Sequence, residues 1–314
     1  MRLRLWNLLV MSIGFVPVYF GQGWSEHKIT VKKANDVSTI MHAETIFADR
    51  WDVLPQVQFW KKIMLLTPDT VVLNVGGTRQ ILTEMTTTEW NAKSDAQKDS
   101  FKLQLLHDFS LLPETNIVAT FGKNNFYRFT DVYPSLSKGV AAFEKHGVDP
   151  WYAQAILLIE SPGQLKKSVA GAYGPFQLMP DVARSVGLIV NANTDERKDF
   201  EKSALGAARL LSRICVPEAR RLLTRYNISF DEKDLWFRLF VMHIYHAGSG
   251  NVAAVMNKLQ PTYGGQQLIT EMWQTKAGHF GTGSQNYSQL AIAAQLILND
   301  MVYTQCDEIL SCAK

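Results

Sequence analysis

A mainly α fold preceded by a smaller mixed α/β region is what the order of hydrophobic patterns predicts, and three observations carry the prediction. Trp151 to Glu160 is apolar nearly all round, which marks a buried central helix. From Tyr133 onward the remaining signals are helical, with stop residues between them. Earlier in the chain, Val71-Val-Leu-Asn-Val, Gly76-Gly77 and Thr78 to Thr83 read as a β-hairpin with a two-residue turn.

Taken in order, residues 1–23 begin with Met-Arg-Leu-Arg, continue through apolar Leu5 to Phe20 and end on Gly21-Gln22-Gly23. That is the layout of a signal peptide cleaved near Gly23, which implies secretion. An uncleaved N-terminal membrane anchor is the alternative, although the apolar run is short for a bilayer and is broken by Asn7 and Pro17. Residues 24–131 form an N-terminal accessory region: the hairpin, then a helix with Phe101, Leu105, Leu106 and Phe109 on one face. Residues 132–300 supply the helical domain. Its helices are expected over Trp151 to Glu160, Phe176 to Val186 stopped by Gly187, Lys202 to Ile214, Lys233 to Tyr245, Asn251 to Leu259 and Ser284 to Asn299. Residues 301–314 are a C-terminal tail.

With 46% hydrophobic residues in 314, there is ample material for a packed core. The net charge of +3 gives no ground for a nucleic-acid partner. Of three cysteines, Cys215 falls in or just after a helix and is expected to be packed. Cys306 and Cys312 could bridge in an oxidising compartment or stand as two free thiols.

The chemistry centres on Glu160. A carboxylate at the end of an apolar helix is costly while ionised, so its pKa should rise until the protonated form can donate a proton near neutral pH, as a glycosidase general acid does. A packing role for the same carboxyl, paired with an arginine at a frayed helix end, is the bland alternative. Ordinary glycosidases need a second carboxylate, about 5 to 5.5 Å away if retaining and roughly 6.5 to 9.5 Å if inverting. No candidate stands out. Asp195 and Glu196 sit beside Arg197 and suit a structural ion pair, and Asp181 suits a helix N-terminus. His243 and His246 are three apart and could share a metal, but no third ligand is placed beside them, so no metal or cofactor is expected.

Three ordered blocks carry a resemblance. They are Glu160-Ser161 followed by Ser168-Val-Ala-Gly-Ala-Tyr-Gly-Pro-Phe-Gln177-Leu-Met179-Pro180-Asp-Val-Ala183; then Tyr245-His-Ala-Gly-Ser-Gly-Asn251-Val252; then Ser284-Gln-Asn-Tyr287. Together they resemble the lytic murein transglycosylases of the goose-lysozyme-like fold. Gly187-Leu-Ile-Val-Asn, Asp195-Glu-Arg197 and a weaker echo at Val57 to Ile63 bring the chain closest to the membrane-bound lytic murein transglycosylase D branch. His246 departs from the family's asparagine, Pro162-Gly163 replaces a small residue followed by an aromatic, and the stretch from Glu160 to Ser168 is shorter than usual.

The resemblance implies a lysozyme-like helical catalytic domain, peptidoglycan glycan strands as substrate, and cell-wall synthesis or remodelling proteins as possible partners. It makes Glu160 the acid and then the base in cleavage of the bond between N-acetylmuramic acid and N-acetylglucosamine, leaving 1,6-anhydro ends as a carbon–oxygen lyase does. It assigns substrate contacts to Ser168, Gln177, Met179, Tyr245, His246 and Tyr287. A muramidase-type hydrolase is the nearest enzymatic alternative. A non-catalytic peptidoglycan-binding protein of the same fold is the other, which the retention of Glu160 disfavours.

Overall fold

The computed structural model describes residues 24, 27–122, 127, 129–160 and 167–311. The N-terminal part runs β1 (Lys28–Lys33), β2 (Asp36–Met41), α1 (Glu44–Ala48), α2 (Pro55–Leu65), β3 (Thr70–Val75), β4 (Ile81–Thr86), α3 (Thr87–Ala92), α4 (Asp95–Asp108) and β5 (Ile117–Phe121). Helices follow: α5 (Phe129–Lys145), α6 (Pro150–Glu160), α7 (Pro180–Ser185), α8 (Phe200–Leu210), α9 (Val216–Arg225), α10 (Leu235–Ala247), α11 (Ser249–Leu259), α12 (Gly265–Gln274) and α13 (Thr282–Gln305). Strand β6 (Glu308–Ser311) ends the described chain. The fold is mainly α with small sheets in the N-terminal region, as the patterns predict. The expected signal segment and Cys312, with its possible bridge to Cys306, lie outside the described residues.

Two three-stranded sheets form, ordered β2-β1-β6 and β4-β3-β5, and every pairing is antiparallel. In β3 the period-2 alternation divides one strand between two cores. Val71, Leu73 and Val75 pack with Trp90 of α3 and Leu105 of α4 in a small core, whereas Val72 joins the main one. Reciprocal capping boxes at Thr86/Glu89 and Ser94/Gln97 start α3 and α4.

The hairpin differs from its expected form. Five residues, Gly76 to Gln80, separate β3 from β4, with Val75 N–H donating to the Gln80 carbonyl and Gly76 N–H to the Asn116 carbonyl. Arg79, in the left-handed conformation, donates its N–H to the Val75 carbonyl and so closes a longer loop than the two-residue turn that Gly76-Gly77 suggests.

Nor does the main core stop where the helices begin. Val31, Ile40, Met41, Trp51, Phe59 and Ile63 belong to the same cluster as the buried residues of α6, α10 and α13. The backbone amide and carbonyl of Met41, at the end of β2, both bond to the side chain of Gln154 in α6, at 2.8 and 3.0 Å. A buried glutamine thus satisfies backbone groups that would otherwise be left unpaired away from water. The segment read as a C-terminal tail forms the last turn of α13 and then β6, which adds to the outer side of β1.

Helix α6 is the central rod, with every residue from Pro150 to Ile159 buried. It crosses α5 closely at Gly139, where a methyl group would lie 2.6 Å from Leu157 Cδ1. Two helix expectations need correction. Phe176 to Val186 is not one helix: Gln177 has a left-handed backbone (φ 46°) and Pro180 occupies the first turn of the much shorter α7. The helix expected to end at Ile214 instead passes through a π-helical turn, Leu211–Cys215, into α9. Pro217 has no N–H to give to the regular ladder there, which favours the wider turn.

Candidate active site

Helix α6 ends on Glu160. The residue is partly accessible, and burial of its carboxyl pushes the pKa from 4.5 up to about 7, with hydrogen bonding by Tyr287 opposing the rise. No cation and no second carboxylate among the described residues contributes to that shift. Desolvation therefore keeps the acid protonated near neutrality.

Three phenols lie close enough to the carboxyl to feel its charge. Tyr127, Tyr245 and Tyr287 each have pKa values raised first by burial and further by the neighbouring Glu160. Tyr287, only 4% exposed, has a hydroxyl with no well-aligned hydrogen bond among the described residues, which leaves it poised beside the acid. The Tyr245 hydroxyl donates to the Phe176 carbonyl at 2.6 Å. Its proton is thereby committed to fixing the turn that presents Gln177.

That turn is built by glycine and Arg197. Gly174 has φ 83°, and a methyl group there would come within 1.8 Å of the Arg197 carbonyl oxygen, so only glycine fits. The Arg197 guanidinium donates to the carbonyls of Gly171 and Leu178, both at 2.9 Å, while a two-point ion pair with Asp195 at 2.8 and 2.7 Å compensates its charge. Glu196 instead accepts from Ile189 N–H and pairs with Lys202. The Asp195-Glu-Arg197 run is accordingly structural, as its charge pattern predicts. Asp181 lies in the first turn of α7, paired with Arg184.

The remaining expected site residues occupy distinct places. Gln177 donates to the Gly174 carbonyl at 3.0 Å within its own turn. The Ser168 hydroxyl accepts from Ala172 N–H at 2.9 Å, so it closes the start of this loop. Met179, 39% exposed, stands at the entry to α7. His246, exposed at the end of α10, lays its ring on Tyr287 with centroids 4.3 Å apart, and partial desolvation lowers its pKa.

His243 belongs to the core. Its Nε2 lies 2.9 Å from Ser288 Oγ, which also accepts from Trp273 Nε1, and burial pulls its pKa down to about 3. No cluster of three metal-binding side chains forms among the described residues. Tyr127 is the site residue that sequence reasoning missed, since it stands alone ahead of α5 and outside the three blocks.

The arrangement can hold a proton on Glu160 near neutral pH, deliver it to an incoming oxygen, and take one back. Among the described residues it offers no second acid to share that work. No curated protein matches the chain. Residues 139–260 match the family model of the transglycosylase SLT domain, a span that holds Glu160, Ser168, Gln177, Met179, Tyr245 and His246 but neither Tyr127 nor Tyr287. The chain therefore carries a transglycosylase SLT domain over residues 139–260, which supports the lytic transglycosylase family and a peptidoglycan-cleaving activity.

Proposed function

We propose that the protein cleaves the β-1,4 bond between N-acetylmuramic acid and N-acetylglucosamine by substrate-assisted transglycosylation, with Glu160 as its catalytic residue. The observation that carries this reading is the desolvated carboxyl with no acidic neighbour among the described residues. Protonated Glu160 gives its proton to the glycosidic oxygen as that oxygen leaves the muramoyl C1. The 2-acetamido oxygen of the same sugar attacks C1 and holds the positive charge as a cyclic oxazolinium ion, the part that a second carboxylate takes in two-acid enzymes. Ionised Glu160 then accepts the proton of the C6 hydroxyl. O6 attacks C1 and displaces the acetamido oxygen, the new bond closes the 1,6-anhydro ring, and no water is consumed.

The phenols of Tyr127 and Tyr287 surround the carboxyl, and Tyr287 stabilises its charged form by hydrogen bonding at the moment the proton has left. Gln177, Met179 and His246 are assigned to contact the sugar, while Ser168 and Tyr245 hold the loop that carries Gln177 and Met179. Kinship with the membrane-bound lytic murein transglycosylase D branch rests on Gly187 to Arg197. Export across the inner membrane rests on the basic and then apolar character of residues 1–23, and a periplasmic destination, beside wall-synthesis or remodelling proteins, rests on the peptidoglycan substrate.

Glu160→Gln tests the assignment, because the amide keeps the shape and cannot give up a proton. Turnover of purified peptidoglycan should fall by roughly 10² to 10⁴ with the fold intact. A folded variant that turns over at the wild-type rate would remove Glu160 from its role.

A further inference from the structure

The β3–β4 loop delivers one charged side chain to the start of α13. Arg79 holds φ 63°, a left-handed backbone conformation that a non-glycine residue adopts at a cost. The side chain crosses to the helical domain, where its Nη2 donates to Asn286 Oδ1 at 3.2 Å. Its guanidinium carbon lies 5.2 Å from the ring centre of Phe59 and 5.6 Å from that of Trp60. These aromatic faces and one neutral amide oxygen are its partners among the described residues, and no carboxylate there pairs with it. Burial disfavours its charge, and nothing else contributes to the shift.

Asn286 immediately precedes Tyr287. One turn back on the same helix, a methyl group at Gly283 would lie 3.8 Å from His246 Cε1. Arg79 is therefore bonded to the residue next to Tyr287, whose hydroxyl interacts with Glu160. A guanidinium carries five donors in a planar fork suited to a carboxylate, and one of them is accounted for by Asn286. A half-buried, flat, uncompensated cation beside a sugar-cleaving site is suited to an anion that arrives with the substrate.

We propose that Arg79 is a substrate-binding residue that takes a carboxylate borne by the muramoyl substituent, so that the N-terminal α/β unit forms part of the cleft. This rests on the reading of the protein as a peptidoglycan-cleaving enzyme. Two sources offer the group: a carboxylate of the peptide stem, or the lactyl carboxylate exposed when the stem is removed.

Binding is measured to three preparations of soluble glycan strands: peptide-bearing, peptide-bearing with carboxylates converted to amides, and peptide-free with the lactyl carboxylate exposed. Glu160→Gln is compared with Glu160→Gln/Arg79→Ala and Glu160→Gln/Arg79→Gln, with thermal unfolding as the folding control. Loss of the charged contact should weaken binding roughly 10- to 100-fold, the scale of a hydrogen bond to a charged group, on carboxylate-bearing strands while leaving the amidated strands unchanged. Loss on peptide-bearing strands alone assigns the stem carboxylate, and loss on peptide-free strands alone assigns the lactyl carboxylate. Equal weakening on native and amidated strands would make Arg79 a packing residue and overturn the proposal, as would no weakening on any strand. In an Arg79→Ala single variant, KM on the responsive strand should rise with kcat preserved. If the wild-type protein released no product from any strand, the proposed reaction would fail, while the binding comparison would still decide Arg79.

Discussion

Replacing Glu160 by glutamine should make the protein more stable at alkaline pH while disabling it. The carboxyl titrates at about 7 in the folded protein against 4.5 for the unperturbed group. Below 4.5 it is protonated in both states and costs nothing by ionising. Between 4.5 and 7 the unfolded chain releases its proton while the folded chain retains it, so stability falls with rising pH by about 1.4 kcal/mol per pH unit. Above 7 the decline levels off, leaving a penalty of about 3 kcal/mol at most from this group. Glutamine cannot ionise and escapes that penalty. Urea-unfolding free energies of wild type and Glu160→Gln, compared at intervals from pH 4 to pH 9, should give a difference that moves in favour of the variant through the 4.5 to 7 window and is flat above it. Taking the pH dependence of the difference removes any constant contribution of the amide itself. A difference that does not change with pH would refute the claim that burial holds this carboxyl protonated.

Because the protonated acid starts the reaction, kcat/KM on peptidoglycan should decline as pH rises past about 7 in a pH–rate profile. Tyr287→Phe removes the hydrogen bond that lowers the Glu160 pKa, so the alkaline limb should move to higher pH even as the maximal rate falls. Arg197→Ala strands Asp195 and frees the carbonyls of Gly171 and Leu178, and should cost about 3 kcal/mol or more in chemical denaturation. Gly174→Ala would force the turn away from the Arg197 carbonyl, with reduced substrate affinity and a lower unfolding temperature as the expected readouts.

Features with a strong local signal were legible in the sequence. The apolar run ending in one carboxyl gave both the central helix and the candidate acid, and the charge pattern of Asp195 to Arg197 gave its ion pair. Features set by distant partners were not. The β1–β2 hairpin and the four-residue β6 have weak patterns of their own and are stabilised across the whole length of the chain. The Tyr245 hydroxyl finds its acceptor 69 residues away, which no spacing rule reveals. Tyr127 feels the charge of Glu160 from outside the three blocks, where no spacing rule links the two residues. The misread helix at Phe176 carried its own warning, since a proline at position 180 suits a first helical turn better than a helix interior. The β3–β4 loop carries Arg79 across to Asn286, a contact 207 residues away that no local pattern announces.

The central claim is that the C6 hydroxyl of the substrate, held where intramolecular attack has a large effective molarity, does what water does in a hydrolase. Digesting purified peptidoglycan with the wild-type protein in heavy-oxygen water and weighing the released fragments tests this directly. The account predicts 1,6-anhydro-N-acetylmuramic ends, one water lighter than reducing ends and free of heavy oxygen. Reducing muramoyl ends that carry heavy oxygen, with no anhydro product, would contradict it and make the protein a hydrolase.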